Sequence, residues 1–148
     1  MRIGKGILIT VLSLTLLSSC SITRTVQPIS NAQISELCIQ NNSAVLMQGF
    51  LPELKSQVES TGIKTRVFDG LPPADCVYHM EYDANWHWDF AMYLSFADLR
   101  VFEKNRMIGQ AIYDARSGGL NFDKFGPTDQ KLKSLTDELF GPLRAVRP

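Results

Sequence analysis

The longest regular alternation of apolar and polar residues in the chain follows Cys76 and has a period of two. The apolar members stand at even positions and the polar members at odd ones: Tyr78, Met80, Tyr82, Trp86, Trp88 and Phe90, against His79, Glu81, Asp83, Asn85, His87 and Asp89. Such alternation predicts a β-strand with one buried face and one solvated face. Strands are rarely this long, so we expect the chain to reverse inside the run. A three-residue turn at residues 83–85 and a wider reversal near residues 88–92 both fit the pattern.

Two apolar stripes with helical spacing flank this β pattern. The first covers residues 50–61 and ends before Gly62, and the second begins at Thr128 and stops at Gly141-Pro142. Further strands are predicted at residues 34–39, 64–68, 93–102 and 107–115. Because each helical stripe needs a surface to cover, we predict an α+β fold. It is a two-layer sandwich with a mixed, mostly antiparallel sheet of about four strands and two helices on one face.

The amino-terminal residues have the layout of a secretory signal peptide. Arg2 and Lys5 precede an apolar run over residues 7–17, which is shorter than the roughly 20 residues that a membrane span needs. The sequence Leu-Ser-Ser-Cys that ends at Cys20 resembles the bacterial lipobox. That resemblance implies cleavage after residue 19 and attachment of a diacylglycerol and an N-acyl chain such as palmitate to Cys20. Several acyl chains anchor a protein stably, whereas one holds it only marginally.

The residue after the lipidated cysteine bears on the destination of the protein. In enteric lipoproteins an aspartate at this place retains the protein in the inner membrane, and here the residue is Ser21. We therefore expect the periplasmic side of the outer membrane rather than the inner membrane. Along the chain we expect a signal peptide over residues 1–19, a polar tether over 20–33, a single domain over 34–141 and a frayed tail over 142–148.

Length, charge and cysteine count set limits on the mature protein. Removing 19 of the 148 residues leaves 129, enough for one modest domain. Losing Arg2 and Lys5 leaves 13 basic against 15 acidic residues, a net charge of −2 that predicts no nucleic-acid partner. Besides Cys20, the chain has Cys38 and Cys76. An even pair in an oxidising compartment predicts a disulfide, with two buried free thiols as the alternative.

Candidate ligand residues lie on the polar side of the alternating run. Imidazole and carboxylate groups of the kind that zinc binds are supplied by His79, Glu81, His87 and Asp89. With a turn at residues 83–85, His79 would face Asp89 and Glu81 would face His87, close enough for a metal ion to bridge them. The same residues also suit a solvated strand face, and their spacings match no specific metal motif. We therefore expect no metal and no other cofactor.

The two tryptophans have two interpretations. Trp86 and Trp88 could stack on a ligand or bind a partner protein, because tryptophan offers a large contact area with little entropy loss. Alternatively, both belong to the core of a strand that packs under a helix. Nucleophile and phosphate-binding motifs such as GxSxG and GxxxxGK are absent from the sequence. We therefore expect a protein that is not an enzyme.

Taken together, several motifs resemble a family of small uncharacterised proteobacterial lipoproteins. The resemblance covers most of residues 20–140 and rests on the lipobox, Cys38, Cys76-x-Tyr78, Trp86-x-Trp88-Asp89, Tyr93-Leu94 and Ile108-Gly109-x-Ala111 with Tyr113. That family has no assigned activity, so the resemblance implies no catalytic residues. We expect a non-catalytic lipoprotein that binds or supports another envelope component, most simply an envelope protein. The alternative is a periplasmic module that binds a metal or a small ligand.

Overall fold

The computed structural model of the protein describes residues 21–144. The expectations for the signal peptide over residues 1–19, for lipidation of Cys20 and for residues 145–148 of the tail lie outside this range. Within residues 21–144, no helix is long and apolar enough to cross a membrane.

Residues 21–144 form six strands and two α-helices. In chain order they are β1 (Thr23–Gln27), β2 (Glu36–Gln40), α1 (Phe50–Ser60), β3 (Lys64–Phe68), β4 (Tyr78–Asp89), β5 (Ala91–Glu103), β6 (Arg106–Asp114) and α2 (Thr128–Arg144), with a short 3-10 helix over Phe122–Phe125 before α2. The strands form a single sheet in the order β1-β6-β5-β4-β2-β3. The α+β class is therefore confirmed, and the sheet has six strands rather than about four.

The sheet combines a parallel part and an antiparallel part. Strand β2 pairs in parallel with β3, and α1 makes the crossover between them. Strand β2 also pairs in parallel with β4, at Cys38↔His79 and Ile39↔Met80. Strands β4, β5 and β6 are antiparallel neighbours, as expected for a meander of consecutive strands. Consequently β4 is the strand at which the two parts of the sheet meet.

Strand β1 lies in the segment for which we predicted a tether. Its sequence is TRTVQ, and only Val26 of these residues is half-buried, so no apolar alternation marks it as a strand. It joins the sheet by pairing antiparallel with β6, from Thr23↔Asp114 to Gln27↔Gln110. An edge strand of this kind is held mainly by its backbone hydrogen bonds. The chain after it is also fixed, because Ile29 is fully buried and its N–H donates to the carbonyl of Leu139 at 2.9 Å.

Both helices contribute to one hydrophobic core with the sheet. Helix α1 buries Phe50, Leu54 and Val58, and the buried apolar residues of α2 are Leu132, Leu135, Leu139, Phe140 and Leu143. They share a single cluster with residues such as Leu37 and Ile39 of β2. Helix α2 continues through Gly141-Pro142 to Arg144, past its predicted stop. Residues 142–144 of the predicted tail are therefore helical.

A disulfide joins Cys38 and Cys76, as the sequence predicted. Both cysteines are buried together with Phe68 in a second, smaller cluster. Arg66 lies beside the bridge, with an Nη 3.2 Å from the Cys76 sulfur. Its guanidinium also pairs with Glu36 at 3.1 Å and with Asp75 at 2.9 Å. The bridge thus fastens the segment before β4 to the parallel part of the sheet.

Candidate functional site

The candidate residues all lie on β4, which is one uninterrupted strand of 12 residues. Strand β5 runs back along it up to the pair Asp89↔Ala91, so that Phe90 alone forms the turn, with a left-handed φ of 62°. The predicted turn at residues 83–85 is wrong, and the reversal lies within the predicted 88–92 range. The register pairs Tyr82 with Leu99 and Trp86 with Leu94, whereas a turn at residues 83–85 would pair Tyr82 with Trp86.

Because the strand is continuous, the four predicted ligand residues do not come together. The strand register pairs His79 with Phe102, Glu81 with Arg100, His87 with Tyr93 and Asp89 with Ala91. His79 and His87 are eight residues apart along one strand, a distance of roughly 26 Å. Among residues 21–144, no group of three or more His, Cys, Asp or Glu side chains is placed to hold a metal ion. The cross-strand metal bridge that the sequence allowed is therefore not formed.

His79 is buried rather than solvated, with 6% of its surface exposed. Its imidazole stacks on Phe102, with ring centroids 5.0 Å apart and planes inclined by 8°, and Phe68 lies edge-on at 6.4 Å. Within the described residues, its Nδ1 has no hydrogen-bond partner. Burial lowers the pKa of His79, opposed by the carboxylate of Glu81 at 3.9 Å. The geometry favours a neutral imidazole packed as an aromatic ring.

Glu81 belongs to a network of charges on the same side of the sheet as His79. Arg100 lies at its centre and pairs with Asp83 at 2.8 Å, with Asp98 at 3.1 Å and with Glu81 at 3.9 Å. Gln110 donates a further hydrogen bond to Asp98 at 2.9 Å. Each carboxylate thus already has a cationic or amide partner from a neighbouring strand. This arrangement is typical of cross-strand pairing on a solvated sheet face.

The outer part of the β4–β5 hairpin projects beyond the rest of the sheet. Strand β6 pairs with β5 only as far as Phe96↔Asp114, and Ala115 adds one backbone hydrogen bond to Ser95 at 2.8 Å. At the same level the register shifts, because Asn85 pairs with Phe96 whereas Trp86 pairs with Leu94. Ser95 is the extra residue of this β-bulge, a device that bends a strand. Residues 86–94, which we call the hairpin end, pair only with one another.

The two tryptophans have different surroundings in the hairpin end. Trp86 is half-buried and meets Phe50 edge-on, and its cross-strand partner Leu94 is fully buried. Trp88 is 67% exposed, and its partner Met92 is 57% exposed. Trp86 therefore packs at the edge of the core, and Trp88 lies on the surface, where its contact with a ligand or partner stays a prediction.

A buried lysine ties the loop after β6 to the hairpin end. The ammonium group of Lys124 donates to Asp89 at 2.6 Å and also to the carbonyl of Gly119. It lies over the rings of Tyr93 and Phe125, 5.4 and 5.1 Å from their centroids. Its side chain is only 5% exposed, so the carboxylate of Asp89 compensates a charge that would otherwise be costly to bury. Asp89 therefore has a structural partner in place of a metal.

A polar cleft of about 520 Å³ lies along this contact. Its walls are Asn85, Trp86, His87, Asp89, Tyr93, Ser95, Arg116, Gly119 and Lys124. Most of its charges are already compensated, since Lys124 pairs with Asp89 and Arg116 pairs with Asp114 at 2.5 Å. His87 meets the ring of Tyr93 edge-on at 6.0 Å. The cleft thus brings His87, Asp89 and Trp86 of the predicted set together, but as a wall of compensated groups.

A second lysine, Lys131 of α2, contacts the backbone of Lys124 beside the cleft. Burial lowers the pKa of Lys131 to about 8. Its ammonium group donates to the carbonyls of Lys124, at 2.5 Å, and Leu94, at 3.3 Å. It also lies 4.9 Å from the ring centroid of Tyr113, whose own pKa burial raises to about 12. These contacts enclose the amine and connect α2 to β5 and to the loop, which is a structural role.

The sequence did not single out an exposed apolar group at this end of the molecule. We call it the apolar end and define it as Trp88, Phe90, Met92, Leu120 and Phe122, which are between 57% and 87% exposed. The strand alternation places Trp88 and Met92 on the side of β4 and β5 that is buried further along the strands, and for Trp88 the sequence allowed both a core and a contact interpretation. A signal was present at Phe90, because apolar residues of the same parity continue past it with Met92 and Leu94.

Comparison with known proteins gives a likeness of fold. No protein-family model and no curated protein matches the chain. Among solved structures, the PelC dodecamer from Paraburkholderia phytofirmans is similar with a TM-score of 0.55 and 11% identity over 86% of this chain and 100% of that chain. A leucine-to-methionine variant of PelC gives the same TM-score at 12% identity. A PDZ domain protein from Parabacteroides distasonis has a TM-score of 0.40 at 8% identity, covering 88% of this chain and 37% of that chain.

Proposed function

We propose that this chain is a lipid-anchored, non-catalytic lipoprotein of the outer membrane, that its domain faces the periplasm, and that its apolar end contacts another component of the envelope. The observation that carries the proposal is the apolar end itself. At the tip of the hairpin, Trp88 and Met92 are cross-strand partners beside Phe90, so these three exposed side chains are neighbours, and Leu120 and Phe122 are exposed in the loop held against the same hairpin. A contiguous exposed apolar patch on a small domain is typical of an interaction site.

The anchor and the compartment are supported by the cysteines. Cys20 stands at the lipidated position of the lipobox-like sequence. The bridge between Cys38 and Cys76 is of the kind that persists in an oxidising compartment such as the periplasm. Export, lipidation and disulfide formation are thus all consistent with a domain in the periplasm.

The proposal of a non-catalytic protein is supported by the pairing of charges in the cleft. An active site needs a group that is free to attack or to exchange a proton with a substrate. In the cleft, Asp89 and Lys124 compensate each other, and Arg116 is held by Asp114. The residues are arranged to hold the loop against the hairpin end, which favours a binding role.

The likeness to PelC concerns the fold alone, and PelC itself is a dodecamer. Self-association is therefore one of the outcomes that a test of binding should measure. Multi-angle light scattering of the detergent-solubilised lipoprotein would report its mass directly.

The proposed anchor is tested by labelling cells with a radioactive fatty acid. The wild-type chain should incorporate the label and sediment with outer membranes, whereas Cys20→Ala should do neither. Mature protein with an unmodified amino terminus would contradict the proposal.

The proposed contact is tested in the same cells by photocrosslinking. A photoreactive phenylalanine analogue replaces Phe90 in the apolar end, and the matched control carries it in place of Ser56, an exposed residue of α1. We expect a defined crosslinked product, to protein or to lipid, from position 90 and only background from position 56. Equal background from both positions would remove the contact from the proposal.

A further inference from the structure

We infer that the component contacted by the apolar end is the lipid surface in which Cys20 is anchored, so that the domain rests on its own membrane through Trp88, Phe90, Met92, Leu120 and Phe122. This inference rests on the proposed function, because it requires the lipidated cysteine. It adds the identity of the contacted component and the orientation of the domain.

The position at which the described chain begins carries the argument. Ser21 is the first described residue, and Ile22 lies beside Gly118 in the loop after β6. Two residues of extended chain span at most about 7 Å, so the acyl chains on Cys20 start within that distance of Ile22. The membrane surface must therefore pass close to this point of the domain.

The sheet register places the hairpin end on the same side of the molecule. Thr23, next to Ile22, pairs with Asp114 of β6, and Asp114 pairs with Phe96 of β5. The hairpin end continues from Phe96 away from the body of the sheet, in the direction from which the chain enters β1. The anchor and the projecting hairpin end thus lie at one end of the sheet, and the start of β6 at Arg106 lies at the other.

The loop after β6 contributes the other two residues of the apolar end and lies at the same end of the sheet. Its exposed residues Leu120 and Phe122 lie two and four residues after Gly118 in the chain. The loop is held to the hairpin end by the ion pair of Lys124 with Asp89 and by the contact of Phe125 with Tyr93, whose ring centroids are 5.2 Å apart. Both segments that carry the apolar end are therefore fixed to each other and to the anchor region.

The charged side chains near the apolar end are mostly paired, and this lowers the free-energy cost of bringing the apolar end to a lipid surface. The two ion pairs of this region, Asp89 with Lys124 and Asp114 with Arg116, are neutral as pairs. Asp123 is an exposed carboxylate beside Phe122, in a position that the hydrated headgroup layer accommodates. An isolated charge in the hydrocarbon region would cost several kcal/mol or more, and none of the five side chains of the apolar end is charged.

The chemistry of the exposed side chains fits the membrane interface. Trp88, Phe90 and Phe122 are aromatic, and tryptophan in particular is enriched at the level of the lipid headgroups. Leucine and phenylalanine are also the residues on the apolar side of segments that lie in the interface. We therefore argue for lipid as the occupant.

Quenching by brominated lipids tests the inference, because the chain has only two tryptophans. The full lipidated protein is reconstituted into phosphatidylethanolamine–phosphatidylglycerol vesicles whose acyl chains carry bromine, which quenches tryptophan on contact. We expect the fluorescence of the wild type to fall at least about twofold relative to unbrominated vesicles. In Trp88→Phe, which keeps Trp86 and changes only an exposed side chain, we expect most of that quenching to disappear.

A second variant, with Trp88 as its single tryptophan, complements this comparison. Trp86→Phe leaves Trp88 as the single fluorophore, and it should be quenched at least as strongly as the wild type. Its far-ultraviolet circular dichroism and thermal midpoint show whether it has kept the fold. If it has not, the comparison between the wild type and Trp88→Phe still decides the question.

Different results would contradict the inference and the proposed function. Weak quenching that is equal in the wild type and in Trp88→Phe, with the protein still bound to the vesicles, would overturn the membrane contact and leave the anchor intact. A photocrosslink from position 90 to an envelope protein or to a second copy of the chain would also overturn it. Release of the wild-type protein from vesicles, with no acyl mass on Cys20, would instead overturn the proposed function.

Discussion

Trp86 and Trp88 are two residues apart on one strand and have opposite surroundings. Trp86 packs edge-on against Phe50 at the start of α1, and Trp88 is 67% exposed. The same contrast separates the outermost residues 87–93 of the hairpin from the body of the domain, which we call the base and which comprises the two helices and the sheet as far as the pair of Trp86 with Leu94. In the base, β4 and β5 have the two helices on one side and neighbouring strands at both edges.

The difference between these regions shows what decides burial on a strand. Alternation determines which side of the strand a residue faces, and the reach of the helices determines whether that side is covered. Helix α1 begins at Phe50, which covers Tyr82 and Trp86. Beyond Trp86, β4 is no longer covered by α1, so that Trp88 on the same side of the strand is exposed to solvent. The base should therefore carry the stability of the domain and the outer part its contacts.

The largest test of this division is removal of the disulfide at the base. A bridge closing a loop with a sequence separation of 38 residues contributes about 4 kcal/mol through the entropy of the unfolded chain. We expect the double variant Cys38→Ala with Cys76→Ala to lose about that much free energy of unfolding, measured by urea denaturation. The wild type with reductant is the control and should approach the variant. A loss below about 1 kcal/mol would mean that the bridge does not fasten the base.

The two tryptophans give the next largest and most direct comparison. Trp86→Ala removes a half-buried ring from Phe50 and Leu94, so we expect a loss of about 3 kcal/mol. Trp88→Ala removes an exposed ring and should change the free energy of unfolding by less than about 0.5 kcal/mol. Both are measured by urea denaturation in detergent without lipid. Similar losses for the two variants would show that the outermost residues 87–93 are part of the folding core.

A glycine at the base tests how tightly β6 packs under the chain before β2. A Cβ on Gly109 would lie 2.4 Å from Ile29 Cγ1 and 3.0 Å from Leu139 Cδ1, so a neighbour would have to move. We expect Gly109→Ala to cost about 2 kcal/mol through overpacking.

Gly141→Ala is the matched control for this substitution. Gly141 lies inside α2, where an added Cβ would meet no other part of the molecule within 4 Å. We expect alanine there to change the free energy of unfolding by less than about 0.5 kcal/mol, because its gain in helix propensity is offset by the restriction that Pro142 places on the residue before it. Thermal midpoints that fall equally for both variants would contradict this account of the packing.

The sequence predicted those elements whose apolar pattern is also their packing pattern. The strand over residues 64–68 and the start of each helix agree with the structure, because Phe50 and Leu132 lie on stripes that are in fact buried. Strand β1 was not predicted, since its backbone pairs with β6 while its side chains remain mostly exposed. A pattern based on burial cannot detect an edge strand of this kind.

The candidate site was predictable in its residues but not in its geometry. The alternation identified β4 correctly but fits a reversal at either place, because residues of one parity share a face in both cases. The contacts of Phe50 with Tyr82 and Trp86 join residues more than 30 positions apart, which no local pattern records. The place of the apolar end also depends on long-range contacts, since Lys124 and Phe125 hold the loop with Leu120 and Phe122 against the hairpin.

The smallest expected effect is a pH dependence of the free energy of unfolding that arises from His79. This residue is buried in the base, whereas a solvated strand face would leave it exposed. Burial against Phe68 and Phe102 lowers its pKa, and Glu81 only partly opposes the shift. Below pH 6.5 the unfolded chain therefore binds a proton that the folded chain resists, so stability is lost as the pH falls from 6.5 toward the folded pKa. One proton limits this slope to about 1.4 kcal/mol per pH unit. His79→Phe keeps the stacked ring without the titrating group, so its free energy of unfolding, measured by urea denaturation from pH 7 to pH 5, should fall less than that of the wild type. Parallel curves for the two proteins would show that His79 takes up its proton as readily in the fold as in water, and that the base is open to solvent at this strand.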